Sequence, residues 1–125
     1  MEAQQNYSAS AVISDATVRL MHEYTGRGPT RSRTVINQDS VMVLLGDTLT
    51  RGERKLVDTG KEERVLQLRH DFQLVMRDEL VQAVEDATGR NVIAFMSQSH
   101  IDPDLAAEIF VLEPEKKADG GPPTD

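Results

Sequence analysis

The sequence predicts an α+β fold in the order α-β-β-α-α-β-β: two αββ-like halves, a four-stranded, mostly antiparallel sheet, and helices packed on one face. Three observations predict it. Apolar residues recur at three- and four-residue spacing over Ala9–Tyr24 and again over Val65–Ala87, as they do along one side of a helix. Two pairs of apolar runs are each separated by turn-forming residues, the pattern of a hairpin. Both helical stretches close on the same tripeptide, Thr25-Gly26-Arg27 and Thr88-Gly89-Arg90, and each is followed by a hairpin, so the chain reads as an internal repeat. A longer second turn brings Val41-Met-Val-Leu-Leu45 over Glu108-Ile-Phe-Val-Leu112.

In the first helix the stripe is Ala9, Val12, Ile13, Ala16, Leu20 and Tyr24, with Arg19, His22 and Glu23 off it. Gly26 and Pro29 stop it. Thr34-Val35-Ile36 and Val41–Leu45 then flank the turn formers Asn37-Gln-Asp-Ser40. The second of these strands is apolar on both sides, which predicts a central place or cover on both faces. Thr50-Arg-Gly-Glu53 and Thr59-Gly-Lys-Glu62 each fit a capping box, in which the Thr hydroxyl and the Glu carboxylate satisfy exposed backbone N–H groups. They predict a short helix at Arg51–Asp58, broken at Gly60, and a long one at Glu62–Ala87. The long helix keeps Val65, Leu68, Phe72, Val75, Met76, Leu80, Ala83, Val84 and Ala87 to one broad side. At about 1.5 Å per residue it is roughly 39 Å long. A domain of this size is only about 34 Å across, so the helix should overhang, bend or be completed by a second subunit. The second hairpin pairs Asn91–Ser97 with Glu108–Leu112 across the turn region Ser99–Asp104. Residues 1–7 are expected to be flexible, 8–113 to form a single domain, and 114–125, acidic and rich in Gly and Pro, to be a disordered tail.

Composition narrows the function classes. A chain of 125 residues supports one domain, and an aromatic content of 4% implies a lean aliphatic core. Without cysteine there can be no disulfide, thiol nucleophile or thiolate metal site. A net charge of −7 repels nucleic acid and anionic lipid. No apolar run approaches the roughly 18 residues of a membrane span, and Met1-Glu2-Ala3-Gln4-Gln5 is unlike a signal peptide, so a cytoplasmic protein without direct membrane insertion is expected. Central strands apolar on both sides leave a face to cover, and the cheapest cover is a homodimer.

No catalytic set assembles in the sequence. Gly26-Arg27-Gly28-Pro29 follows a helix, whereas phosphate-cradling loops precede one, so it reads first as a helix stop with Arg27 near the negative end of the dipole. Its interest is charge: Arg27, Gly28, Arg31 and Arg33 are the candidate ligand- or partner-binding residues, and Arg31 and Arg33 share one face of a strand. His100, Asp102 and Asp104 form an H-x-D-x-D string, a weak metal candidate that ordinary turn chemistry explains better. Ser97 and Ser99 stand on no nucleophile motif, and the pairs Asp78-Glu79 and Glu85-Asp86 point to different sides of a helix. A non-enzymatic protein without cofactor or metal is expected.

Tyr24-Thr-Gly-Arg-Gly-Pro29, Arg33-Thr-Val-Ile36, Val41–Gly46, Leu49-Thr50 with Glu53 and Leu56, Thr88-Gly-Arg-Asn-Val92, Asp102 and Ile109-Phe-Val-Leu112 together resemble the MpsC family of small bacterial proteins, over about residues 8 to 113. The resemblance implies association with a membrane-potential-generating system, cation-translocating or engaged in inorganic-carbon uptake. It implies partners among transporter or pump subunits, and it carries no enzymatic activity or cofactor. It fits an accessory or regulatory protein that acts by protein contact. An anion or small-molecule sensor using the arginines is the alternative.

Overall fold

Among the described residues, seven elements follow the expected order: α1 (Glu2–Thr25), β1 (Arg31–Asn37), β2 (Ser40–Gly46), α2 (Arg51–Asp58), α3 (Glu62–Thr88), β3 (Val92–His100) and β4 (Leu105–Leu112). The computed structural model describes residues 2–115, with side chains from residue 8 onward, so most of the expected tail lies outside the described residues. All neighbouring strands are antiparallel, in the order β1-β2-β4-β3. Each half supplies one hairpin, and the halves join where β2 meets β4, with Val43 opposite Glu108. Both inner strands are therefore central, as the apolar character of Val41–Leu45 requires.

The repeated tripeptide has the same physical role in both halves. Thr25 Oγ1 donates to the Met21 carbonyl at 2.7 Å and Thr88 Oγ1 to the Val84 carbonyl at 2.8 Å, each bonding back into its own last turn. The same hydroxyls accept from Arg27 N and Arg90 N, both at 3.2 Å. Gly26 (φ 81°) and Gly89 (φ 69°) take the left-handed conformation that ends a helix without penalty only for glycine. Each arginine then reaches the carbonyl just beyond the second strand of its own half: Arg27 Nε to Asp47 O at 3.1 Å, Arg90 Nη2 to Glu113 O at 2.9 Å. Thr-Gly-Arg is thus a helix stop coupled to a strand clamp.

The core lies between the sheet and the α1 and α3 helices. Ile13, Leu20 and Met21 of α1 and Met76, Leu80 and Val84 of α3 close over Val41, Val43, Leu45, Phe110 and Leu112. Phe95 packs on Phe110 with ring centroids 5.1 Å apart. Tyr24 OH donates to Glu79 across the two helices. Burial of apolar side chains at about 25 cal/mol per Å² is the main source of stability in such a layer.

Several expectations change in detail. Helix α1 begins at Glu2, ahead of the first residue of the apolar stripe. Val12 is 55% exposed, and Thr17 and Met21 take the buried side, because α1 meets the sheet and α3 together and turns its contact face toward both. On α3, Leu68 and Val75 face outward while Arg69 and Gln73 are buried. The Thr50–Glu53 capping box forms, with Glu53 N donating to Thr50 Oγ1 at 3.1 Å and Thr50 N to Glu53 Oε1 at 2.8 Å. The Thr59–Glu62 box does not. Gly60 at φ 83° turns the chain immediately after Thr59, whose hydroxyl donates to the Lys55 and Leu56 carbonyls and finishes α2; Lys61 precedes α3 without a side-chain cap. Ser99 and His100 belong to β3, which shortens the expected turn to residues 101–104.

Candidate interaction surface

The four residues singled out after the first helix divide between two roles. Arg27 is committed to Asp47, bonding both its backbone carbonyl and its carboxylate. Asp47 itself sits at φ 62°, and its carboxylate also accepts from Thr30 Oγ1 at 2.9 Å and Arg54 Nη2 at 2.6 Å. The hydrogen bonds from Arg27 and Thr30 hold this carboxyl below its ordinary pKa. Gly28 packs on His22 and Val18, both 3.5 Å from where its Cβ would stand. Arg31 and Arg33 are exposed on β1, and Arg31 lies across Gly46: a Cβ there would be 2.8 Å from its Nε, so glycine lets the guanidinium lie flat on the sheet.

The H-x-D-x-D string is likewise spread over different tasks. Asp104 Oδ1 accepts from Thr48 N at 3.0 Å and Thr48 Oγ1 at 2.8 Å; Oδ2 accepts from Leu49 N at 3.0 Å and Arg54 Nη2 at 2.9 Å. His100 Nδ1 bonds the Pro103 carbonyl at 2.7 Å, and Asp102 is exposed in the turn. Among the described residues no group of three His, Asp or Glu is placed to hold a metal ion. Asp104 instead ties the β3–β4 turn to the loop before α2. Asp104→Ala strands two backbone N–H groups, and a loss of about 2 kcal/mol is expected from urea unfolding.

A polar seam that sequence reasoning missed runs beneath α3. Arg69, 2% exposed, donates from Nη1 to Glu53 Oε1 at 3.3 Å; Glu53 is 4% exposed and its Oε2 has no partner. Gln73 Nε2 donates to Ser99 Oγ at 2.9 Å. Glu108, on central strand β4, accepts from Ser97 Oγ on both oxygens and lines a cavity of about 10 Å³ with Arg69, Gln73 and Met76. Burial pushes its carboxyl up to about 7, against the opposing pull of Ser97 and Arg69. The signal for this seam was two polar residues, Arg69 and Gln73, one helical turn apart inside an apolar stripe.

Among the described residues, no helix covers the second face of the sheet. Because strand side chains alternate, every helix-facing residue has an outward neighbour, and across the strands these align as Val35, Met42, Ile109 and Met96, beside the row Arg33, Leu44, Ala107 and Gln98. Met42 is 39% exposed, Leu44 37% and Met96 52%. No acidic residue of the four strands stands at an outward position on this face. Its charged members are Arg31 and Arg33, at one edge; Gln98 and His100 occupy the other. Its middle is apolar and its margins are basic or polar, the composition of a contact surface.

No curated protein and no solved structure matches the chain. No helix among the described residues is long and apolar enough to cross a membrane. The family described as "Na+-translocating membrane potential-generating system (MpsC)" matches residues 6–114, which span the Thr-Gly-Arg stops, both hairpins, α2, α3 and all but the first turn of α1, and the chain therefore belongs to the MpsC family.

Proposed function

We propose that the protein is a non-enzymatic accessory or regulatory component of a cation-translocating or inorganic-carbon-uptake membrane system, working in the cytoplasm as a homodimer and acting by protein contact. The observation that carries this reading is the apolar sheet face without helical cover, four strands wide and free of carboxylates. A face of this kind in water is a standing source of association free energy, and a lone copy gains nothing by displaying it. Membership of a family described by a membrane potential-generating system supports that setting for the contact.

Deleting the gene is expected to lower the sodium-dependent membrane potential of intact cells, measured with a potential-sensitive dye. The wild-type chain should restore the potential, and Met42→Glu, which places a charge in the middle of the face, should not. An unchanged potential in the deletion strain would overturn the reading.

A further inference from the structure

We infer that the bare sheet face is self-complementary and that its occupant is a second copy, packed face to face about a two-fold axis parallel to the strands and midway between β2 and β4. This rests on the reading of that face as a contact surface and specifies what fills it.

Under such an axis β2 of one copy lies over β4 of the other, and each cross-strand row lies over its own reverse. In the row Arg33, Leu44, Ala107, Gln98, the exposed Leu44 then projects onto Ala107 of the partner subunit, and the small residue leaves room for the large one. The same exchange recurs in the row through Ser40 and Val111, where Ser40 meets Val111 of the partner subunit. In the row between them Met42 meets Ile109 of the partner subunit, two large side chains of which the unbranched one adapts its shape. Aligned sheet packing tilts the two sheets by about 30°, so this matching is closest at the residues nearest the axis, Met42, Leu44, Ala107 and Ile109.

Charge selects the same axis. Arg31 and Arg33 stand at the β1 edge, and a two-fold parallel to the strands carries the β1 edge of one copy to the β3 edge of the other. Arg33 then faces Gln98 of the partner subunit, whose amide oxygen can accept from it, and arginine does not meet arginine. A two-fold running across the strands would instead stack β1 on β1. Self-association through the helical surface would set acidic residues against each other in a chain of net charge −7, whereas the sheet face contributes none of them.

The area approaches the lower bound of a specific interface. Four strands about 4.8 Å apart, rising about 3.3 Å per residue over some seven residues, give a face of roughly 440 Å² in projection. Two copies bury roughly 900 Å² before side-chain relief is counted, close to the about 1,000 Å² that a specific interface needs.

The test uses the full-length purified chain and sedimentation equilibrium over a wide concentration range. A dimer of twice 13.9 kDa is expected. Leu44→Ala, which leaves a void in each half of the interface, and Ala107→Leu, which overfills it, should each weaken dimerisation about tenfold or more. The double exchange L44A/A107L moves the large residue from β2 to β4, and only the proposed two-fold puts it back over a small one, so it should recover dimerisation to within a few-fold of wild type. Met42→Glu, an exposed change that leaves the core untouched, should give a monomer with an unchanged circular dichroism spectrum. A wild-type monomer at every concentration overturns the inference, as does a dimer insensitive to these changes or a double exchange no better than the single ones. A monomeric wild-type chain that restores the membrane potential would remove the homodimer from the proposed function and leave only its accessory role by contact with another protein, while a dimer behaving as described in a strain whose potential ignores the gene would do the reverse.

Discussion

Arg69→Met is expected to cost about 3–5 kcal/mol of folding stability, the largest effect of any single substitution considered, because it leaves buried carboxylates without their cation. Arg69 is the ion-pair partner of Glu53, and it lies beside Glu108, whose carboxyl its charge pulls downward. Without it, Glu53 keeps one bond, from Thr50 N, and must be either protonated or charged in a site from which water is excluded. A methionine fills most of the arginine's volume, so the loss reports charge rather than a cavity. The companion variant separates the two further. Glu53→Gln in the Arg69→Met background removes the stranded charge while a glutamine can still serve the capping box, and it should recover most of the loss. Urea unfolding of the three chains measures this directly. A cost below about 1 kcal/mol for Arg69→Met would mean that the buried pair contributes nothing beyond its desolvation.

How far the fold was legible follows from which physics is local. The Thr-Gly-Arg stops, the Thr50–Glu53 cap and the polar turn at Asn37–Ser40 are written in neighbouring residues, and together with apolar periodicity they set the order of the seven described elements. The exchange of Val12 for Thr17 and Met21 on α1, and of Leu68 and Val75 for Arg69 and Gln73 on α3, was not legible. Helical periodicity defines a stripe broader than the contact it makes, and which edge of the stripe is buried depends on where the neighbouring element lies. Thr59 shows the same limit at shorter range. Its spacing to Glu62 satisfies a capping box, but the glycine between them turns the chain, and the hydroxyl serves the preceding helix. For the candidate surface, Arg31 and Arg33 were placed on one face from their two-residue spacing alone. That the face is bare, and that two of its rows set large against small across β2 and β4, required the strand register.

Glu108→Gln is expected to make the protein more stable at pH 8 and to flatten its pH dependence between about pH 4.5 and 8. The folded-state carboxyl of Glu108 titrates at about 7, above its ordinary 4.5, because burial on the central strand penalises the charged form. Between those two values the folded chain holds a proton that the unfolded chain has released, so the stabilising contribution is fully present below about pH 4.5 and is lost as pH rises through 7. At about 1.4 kcal/mol per pH unit, the interval is worth about 3 kcal/mol. A glutamine carries no charge at any pH, and its carbonyl oxygen can accept from Ser97 as the carboxylate does. The difference in unfolding free energy between the two chains should therefore grow by about 2–3 kcal/mol in favour of Glu108→Gln from pH 5 to pH 8, with the titration of every other group common to both and cancelling. A difference that stays constant with pH would show that Arg69 holds Glu108 ionised throughout. In the Arg69→Met background that pull is absent, so the midpoint of the difference curve should move to higher pH, which links the two variants through one buried seam.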